Sequence, residues 1–314
     1  MKQKGKAVQI AEYVGFYAAI TIARALPVKV LNFLSYMLGN FLYAAVPRRR
    51  AIALQNLRIA FGSELSEKEI RRLARGSCKS FFLTATEMIR SPFRFEGNRV
   101  IRDLRYKTEH LENLFQKAKI IHEEAGGCIF VTPHLGNWEL LPYVSALIGI
   151  PSAIVIRPFD NPLLERAILS SRIASGQIMI PKKNAMFTLD RMLRHGKSIG
   201  MLPDQSTSRG LRVDFFGKKA TVTPVPALLA IRHHRPVVVI AACRTDDPYY
   251  FEGYVSDPIR PNANEKGEQA EIVRITREIN VEMEKVIRKY PEQYLWMHNR
   301  WKQSDKKAIF ENLE

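Results

Sequence analysis

From about residue 100 onward, short apolar runs rich in β-branched residues alternate with stretches of helical periodicity. The runs read CIFVT, SAIVIR, QIMI, SIGML, PVVVIAAC and YYFEGYV. Continuous apolar runs indicate strands that are buried on both faces, and helices between successive strands can cover both faces of a sheet. We therefore predict an α/β fold with a central, mostly parallel or mixed sheet flanked by helices.

The chain before this alternation is helical, and its beginning is unusually apolar. Two apolar helical runs, at 13–23 and 30–47, are separated by Pro27, and no small-residue cleavage site follows them. Neither run is a clean span of about 20 apolar residues. We expect residues 1–46 to form membrane-associated helices that lie in the interface. A bilayer-spanning helix and a hydrophobic hairpin packed on the protein's own core are the alternatives.

The remaining residues, 47–314, are expected to form one α/β domain, in which 47–95 is a mostly helical lead-in. A long helical pattern covers residues 65–90 and opens with SELSEKE, where Ser66 and Glu69 have the spacing of a capping box. No internal repeat, low-complexity tract or obvious linker interrupts the chain.

The charge balance indicates an anionic partner. The chain has 48 Lys and Arg against 31 Asp and Glu, a net charge of +17. Nucleic acid, an acidic membrane surface and an acidic protein all satisfy this balance, so charge alone does not choose among them. The three arginines at 48–50, with Lys2, Lys4 and Lys6, are suited to anionic headgroups.

The cysteines argue against a disulfide framework. Cys78, Cys128 and Cys243 are odd in number, far apart and set in apolar or mixed stretches. They are expected to be buried thiols in a reducing compartment, and no zinc-ligand spacing is present.

A polar cluster interrupts the apolar stretch CIFVTPHLGNWELL at 128–141. The first part is expected to be a buried strand and NWELLPYVSALI a helix, with Asn137 as its cap. On one continuous helix His134 and Glu139 would lie about 140° apart around the axis. Pro133 and Gly136 predict a turn between them, which lets Glu139 point back from the first helical turn. A carboxylate behind an imidazole makes the ring a general base.

This reading has a plain structural alternative, because an H-x-x-x-x-E spacing often occurs by chance and a lone histidine is usually structural. Zinc-protease chemistry is excluded because no H-E-x-x-H stretch occurs. A nucleophilic serine or cysteine would need a G-x-S-x-G elbow between a strand and a helix. The stretch GKSIG at 196–200 has that spacing, but it runs into the predicted strand SIGML, so we expect no such nucleophile. The reaction that remains for a histidine base is direct attack by a bound hydroxyl on an acyl donor.

The stretch TPHLGNWE resembles the H-x-x-x-x-D/E block of the glycerolipid and lipid A acyltransferases. Four further stretches are similar, in order, to the late lauroyl/myristoyl acyltransferases of lipid A biosynthesis. They are IRP at 156–158, GMLPDQ at 200–205, VDFFGKKATVTP at 213–224 and YPEQYLWMHNRWK at 290–302. The resemblance covers roughly residues 45–302, and five ordered blocks make it specific.

The resemblance implies transfer of a fatty acyl group from acyl carrier protein, or acyl-CoA, to a hydroxyl of a lipid A-type phosphorylated glycolipid. It also implies the cytoplasmic face of the bacterial inner membrane, a ternary complex without a covalent enzyme intermediate, and no cofactor or metal. Both the acyl carrier protein and the glycolipid are anionic, which agrees with a net charge of +17.

The resemblance assigns His134 as the base for the acceptor hydroxyl and Glu139 as its orienting partner. Gly136 and Asn137 shape the turn, where we expect a backbone N–H near the thioester oxygen as it becomes an oxyanion. Asp204, at the end of another strand, is expected to orient the substrate or Arg157, with a turn-forming role as the alternative.

Four further residues are candidates for substrate binding. Arg157 follows the AIVI strand at the same predicted sheet edge and is expected to bind a phosphate, with a surface ion pair as the alternative. Arg209 is a second candidate for phosphate. Phe215 and Phe216, in DFFG, are expected to wall an acyl channel, with core packing as the alternative.

Two other function classes remain open on the sequence. One is an acyltransferase for another glycolipid or phospholipid, such as a mannolipid, which would share every catalytic block. The other is a non-enzymatic basic protein that binds a membrane surface or nucleic acid. LWMHNRW at 295–301 alternates aromatic and cationic residues in the manner of base-stacking surfaces. No recognised nucleic-acid module accompanies it, so we expect no nucleic-acid partner.

Overall fold

The computed structural model describes residues 5–94, 109–156, 159–174, 176–182, 185–207, 210–246, 251–262 and 267–302. The helices are α1 (Lys6–Ala25), α2 (Val28–Ala45), α3 (Pro47–Phe61), α4 (Glu67–Arg94), α5 (Glu109–Ala125), α6 (Leu141–Leu147), α7 (Pro162–Ala174), α8 (Ala185–Arg194), α9 (Val225–His233) and α10 (Glu268–Lys289). The strands are β1 (Ile129–Val131), β2 (Ser152–Ile156), β3 (Ile178–Pro181), β4 (Ser198–Met201), β5 (Leu211–Phe215), β6 (Lys218–Val222), β7 (Val237–Arg244) and β8 (Phe251–Val255). A 3₁₀ turn, Pro291–Gln293, follows α10.

Each of the six apolar runs contains a strand, and these strands form one sheet in the order β3-β2-β4-β1-β7-β8. All neighbours are parallel except β7 and β8, so the predicted mostly parallel α/β fold is confirmed. β1, the first strand along the chain, lies between β4 and β7. Its last residue, Val131, pairs with Met201 at the end of β4. The segments that follow β1 and β4 therefore meet at the same edge, where open α/β sheets bind ligands.

The side chains of β1, together with Cys128 just before it, alternate between two cores. Ile129 and Val131 belong to a core that includes buried residues of α3, α4, α9 and α10, whereas Cys128 and Phe130 belong to one that includes residues of α5 and α6. Successive side chains of a strand point to opposite faces. Because helices cover both faces, an uninterrupted apolar run is the stable sequence for this strand.

The three cysteines are buried free thiols, as expected from their apolar surroundings. Burial raises the pKa of Cys78 to about 11 and of Cys128 and Cys243 to about 12. All three therefore stay protonated at neutral pH and act as small apolar side chains.

The two predicted N-terminal helices are confirmed, and Pro27 lies at the break between them. α2 packs on α4 through a narrow face that includes Ser35 and Gly39. A Cβ at Gly39 would lie 2.6 Å from the Cα of Lys79, so glycine permits the close approach of the two helices. Most of the large apolar side chains of α2 are exposed: Val30, Phe33, Leu34, Tyr36, Met37, Leu38 and Phe41.

Within the described residues, no single helix has the length and hydropathy to cross a bilayer. α2 and α3 pass the same test only when they are taken together, and they are bent by 94° at the break between them. Pro47, the first residue of α3, accounts for that break because proline is favoured at a helix start and cannot continue the preceding helix.

α4 begins at the predicted capping box. The Ser66 N–H and hydroxyl both donate to the Glu69 carboxylate, and the Glu69 N–H donates back to the Ser66 hydroxyl. Along its length α4 contacts α1, α2, α3 and the 3₁₀ turn. This helix therefore connects the N-terminal helices to the segment that follows the sheet.

Candidate active site

His134 and Asp204 meet at the carboxyl edge of the sheet, in the turns that follow β1 and β4. The Nδ1 atom of His134 lies 2.6 Å from Oδ1 of Asp204. The backbone N–H of His134 donates to Oδ2 of the same carboxylate at 2.7 Å. An ionised carboxylate only accepts hydrogen bonds, so Nδ1 carries the proton and Nε2 holds the lone pair. One residue therefore holds both oxygens of the carboxylate.

The pair is deeply placed: the side chain of His134 is 16% exposed and that of Asp204 is 2% exposed. Burial acts to lower the pKa of His134, but the charge and hydrogen bond of Asp204, with the charge of Glu139, raise it above its ordinary value. Burial acts to raise the pKa of Asp204, but its contacts with His134 and the charge of Arg300 lower it. Asp204 is therefore ionised, and His134 is a stronger base than an isolated imidazole.

The predicted hydrogen bond between Glu139 and His134 is not present. Asn137 Oδ1 accepts the N–H of Leu140 at 3.1 Å and closes a separate turn, so α6 begins at Leu141 rather than before Glu139. The Glu139 carboxylate instead accepts a hydrogen bond from Arg172 of α7 at 2.5 Å. Asp204, which we expected to orient substrate or an arginine, holds the place behind the imidazole. Glu139 acts on His134 only through its charge.

The other ring nitrogen of His134 faces the open side of the site. The side-chain amide of Gln205 lies 3.2 Å from His134 Nε2, and the ring of Trp138 lies 5.2 Å away between centroids. Sequence reasoning did not single out Gln205. The only sequence signal for Gln205 was its position directly after Asp204 in GMLPDQ. Because Nε2 is the lone-pair nitrogen, it is the atom placed to take a proton from a hydroxyl.

The turn at 134–137 has the tight geometry that Gly136 was expected to provide. Gly136 has a φ of 61°, and a Cβ there would lie 2.1 Å from the carbonyl oxygen of Ala242. The Gly136 N–H donates to Gln293 O, and the Asn137 N–H donates to Ala242 O. The expectation that one of these N–H groups points at a substrate oxygen is therefore wrong, because both are bonded within the protein.

A mostly apolar cavity lies beside the pair, between the sheet and helices α5 and α6. Its empty space, counted together with the solvent at its open side, is about 540 Å³. Trp138, Thr132 and Leu202 line the end near His134, and Ile150 and Ser152 line the end near the start of β2. The cavity thus extends along the strands from their carboxyl edge toward their amino ends.

Phe215 and Phe216 lie elsewhere. They belong to the core on the opposite face of the sheet, where Phe216 packs on Phe61 and Trp296 and Phe215 packs on Trp301. Neither residue lines the cavity described above. They end a β5–β6 hairpin that sequence reasoning missed: Phe216 and Gly217 both have positive φ, as a two-residue type I′ turn requires.

The phosphate-binding predictions for Arg157 and Arg209 fall outside the described residues. Among the residues that the structure does describe, no group of three or more His, Cys, Asp or Glu side chains is arranged to hold a metal ion.

A buried carboxylate, an imidazole whose lone pair is on Nε2 and an adjoining apolar cavity are features that removal of a hydroxyl proton beside an apolar substrate would require. The sequence model of the bacterial lipid A biosynthesis acyltransferases matches residues 1–303. The chain belongs to this family and is an acyltransferase.

Three relatives show the extent of the similarity. The lipid A biosynthesis palmitoleoyltransferase of Escherichia coli (strain K12) is 25% identical over 280 residues, which cover 88% of this chain and 86% of that protein. The lipid A biosynthesis lauroyltransferase of the same strain is 26% identical, with coverage of 88% and 87%. A lipid A biosynthesis acyltransferase of Haemophilus influenzae is 26% identical, with coverage of 91% and 90%.

Proposed function

We propose that this protein transfers a fatty acyl group from acyl carrier protein, or acyl-CoA, to a hydroxyl of a lipid A-type phosphorylated glycolipid. The observation that carries the proposal is the His134–Asp204 pair next to an apolar cavity, with the His134 ring against Trp138 of the cavity lining. Family membership supports the acyl group and the class of acceptor. The net charge of +17 supports the anionic partners.

In the proposed reaction, Nε2 of His134 takes the proton of the acceptor hydroxyl while its oxygen attacks the thioester carbonyl. The tetrahedral intermediate then collapses, the C–S bond breaks, and the imidazolium returns the proton to the departing thiolate. Asp204 stays ionised, holds Nδ1–H and stabilises the imidazolium. Glu139, paired with Arg172, stabilises the same cation through its charge. The products are the ester and the free thiol, with no covalent enzyme intermediate.

The cavity is the proposed site of the acyl chain. A thioester placed near Trp138 can direct its hydrocarbon along the strands toward Ile150 and Ser152. Each methylene moved from water into this site contributes about 0.8 kcal/mol. The cavity thus supplies affinity for the donor and sets the carbonyl carbon near His134 Nε2.

The outer surface of α1 and α2 is the proposed membrane contact, at the cytoplasmic face of the inner membrane. α2 exposes large apolar side chains, and Phe41 alone is 69% exposed. Lys6, Lys29 and Arg48 are also exposed on these helices or at the start of α3. An apolar face with basic residues beside it binds the interface of an anionic bilayer. This contact brings the site to the surface where a glycolipid acceptor lies.

The test is acyl transfer by the purified full-length protein in detergent. Acyl carrier proteins loaded with chains of several lengths, and the matching acyl-CoA molecules, are each offered with a lipid A precursor or a mannolipid. Mass spectrometry should show the lipid A precursor gaining one acyl group. His134→Ala protein, run as the control, should give no such product above background. Absence of product with every donor, or transfer to the mannolipid alone, would overturn the proposal.

A further inference from the structure

The turn that carries His134 is held from three sides by elements far apart in the chain. α4 binds it through the Thr84 hydroxyl, which donates to Gly136 O at 2.7 Å, and through Glu87, which accepts from the side-chain amide of Asn137 at 2.8 Å. β7 binds it through a carbonyl that accepts the Asn137 N–H at 2.8 Å. The segment after the 3₁₀ turn binds it through a backbone N–H that donates to His134 O at 3.0 Å.

One arginine side chain joins two of these elements. Arg244, at the end of β7, donates from Nε and Nη2 to the two carboxylate oxygens of Glu87, at 2.8 and 2.6 Å. It also donates from Nη2 to Thr84 Oγ1 at 2.7 Å and from Nη1 to Ser80 Oγ at 3.0 Å. The guanidinium therefore contacts three consecutive turns of α4.

The backbone of Arg244 joins the third element. Its N–H donates to the side-chain carbonyl of Gln293 at 2.8 Å, and the side-chain amide of Gln293 donates back to the Arg244 carbonyl at 2.7 Å. Gln293 is also the residue whose backbone carbonyl accepts the N–H of Gly136. The three elements described above thus converge on Arg244, whereas the fourth contact of the turn, with Asp204, is made separately.

We propose that Arg244 and Glu87 are positioning residues for the reaction. Their ion pair holds α4, β7 and the segment after α10 in the one arrangement that presents His134 to Asp204 and to the acceptor hydroxyl. The proposal rests on the proposed function for its kinetic consequence, since it concerns the placement of the same base. In this proposal neither residue contacts the substrate.

The chemistry of arginine explains the choice of residue. The Arg244 side chain is 10% exposed, and its fork donates four hydrogen bonds to three partners in fixed directions. A lysine ammonium keeps the charge but is a single point donor without the planar fork, so it cannot hold Glu87, Thr84 and Ser80 in the same way. Loss of the fork therefore loosens the turn without removing the charge.

Two variants test the proposal in the full-length protein, and a third serves as a matched control. Arg244→Lys removes the fork. Thr84→Val has a similar shape and removes only the hydroxyl, which donates to Gly136 O and Ser80 O and accepts from Arg244. Arg274→Lys removes a comparable fork, on Glu271 and Glu278 of α10.

A misplacement of about 1 Å costs on the order of 100-fold in rate, so Arg244→Lys should lower kcat by about 10- to 100-fold with little change in KM.

Thr84→Val should lower kcat less than Arg244→Lys, and Arg274→Lys should leave it within about twofold of wild type. In a His134→Ala background the Arg244→Lys change should lower the residual activity no further, because there is no imidazole left to position. A kcat within about twofold of wild type for both Arg244→Lys and Thr84→Val would overturn the proposal. The proposal would also be overturned if Arg244→Lys lowered the residual activity of His134→Ala protein by the same factor as it lowers kcat in the wild type. If Arg244→Lys does not fold, Thr84→Val decides alone.

Amide hydrogen exchange, measured without substrate, tests the positioning role independently of the proposed function. In Arg244→Lys or Thr84→Val protein, the amides of Gly136 and Asn137 should exchange faster than in wild type, while those of α10 should not change. Unchanged exchange at both turn amides would refute the positioning role even if the enzyme is active. If the wild-type protein shows no acyl transfer, the proposed function is refuted, but the exchange measurement still tests the positioning role.

Discussion

β1 and α2 distribute their apolar side chains differently. β1 buries an unbroken apolar run between two helical layers. α2 buries only a narrow face, which consists of Leu31, Ser35, Gly39 and Tyr43, and turns Phe33, Met37 and Phe41 outward. Water favours the first arrangement and penalises the second, because exposed large apolar side chains in one patch mark a contact surface. The difference indicates that the two regions meet different surroundings, which for α2 we propose to be the membrane interface.

α4 joins the two regions. On one side its Lys79 backbone lies against Gly39, and Thr86 lies 3.3 Å from Ser35 between their hydroxyl oxygens. On another side its Thr84 and Glu87 bind the turn that carries His134. The proposed membrane surface and the proposed catalytic base are therefore mounted on the same helix, and variants can separate or couple them.

The largest expected effect is a loss of acyl transfer with no loss of membrane attachment. His134→Ala should lower turnover by roughly 10²–10⁴, the usual scale of general-base catalysis. The melting temperature and the membrane-bound fraction should stay near those of wild type, because His134 contributes little to the apolar cores. Acyl transfer is measured by mass spectrometry and membrane attachment by flotation. Near-normal transfer would refute the mechanism.

The next effect distinguishes the two carboxylates at the site. His134 must be neutral to act as a base and its pKa is raised, so kcat/KM should increase as pH rises through a value above about 6.5. Asp204→Asn removes the main raising influence and leaves the lowering effect of burial, so this acidic limb should move to lower pH while kcat falls at least tenfold. Glu139→Gln should move the limb in the same direction but less, and keep more of kcat.

The pH dependence of kcat/KM for wild type and the two variants measures this ordering. A larger loss and a larger shift in Glu139→Gln than in Asp204→Asn would make Glu139 the orienting partner, as the short spacing in the sequence suggested. Equal effects in both would indicate that only the summed negative charge matters.

A smaller effect tests the coupling through α4. Gly39→Val places carbon atoms where the Lys79 backbone lies, so α2 should be displaced from α4. Overpacking of this kind costs about 1–3 kcal/mol. We expect a lower melting temperature and a modest loss of kcat, because α4 also holds the catalytic turn. Gly15→Val is the control, since a Cβ at Gly15 meets nothing within 4 Å. Equal melting temperatures in the two variants would contradict the close packing.

The smallest expected effect concerns the outward face of α2. Phe41→Ser removes an exposed aromatic ring, and burial of such a side chain in the interface contributes about 1.5 kcal/mol or more. The membrane partition coefficient should fall about tenfold, with kcat toward detergent-dispersed substrates unchanged. Val281→Ser, on the exposed face of α10, should leave partition nearly unchanged. Equal binding of Phe41→Ser and wild-type protein to anionic vesicles would contradict the proposed membrane surface.

Local patterns accounted for much of the fold. Six apolar runs predicted the strands of the main sheet, and the prolines at 27 and 47 lie where the N-terminal helices break. The β5–β6 hairpin was missed because its turn contains Phe216 at positive φ, which turn statistics disfavour. Packing of the Phe216 ring against Phe61 and Trp296 overrides that preference, and it also explains why Phe215 and Phe216 are core residues there.

By itself, the sequence determined that His134 follows a buried strand at the carboxyl edge of an α/β sheet, because strand periodicity and turn residues act over a few neighbours. Which carboxylate stands behind the imidazole depended on the tertiary structure. Glu139 is near in the chain, but β4 lies beside β1 in the sheet, so Asp204 arrives at hydrogen-bonding distance from 70 positions away. The pairing of Arg244 with Glu87, separated by 157 positions, has the same origin. Contacts of this range are set by strand order and helix packing, which no local pattern encodes.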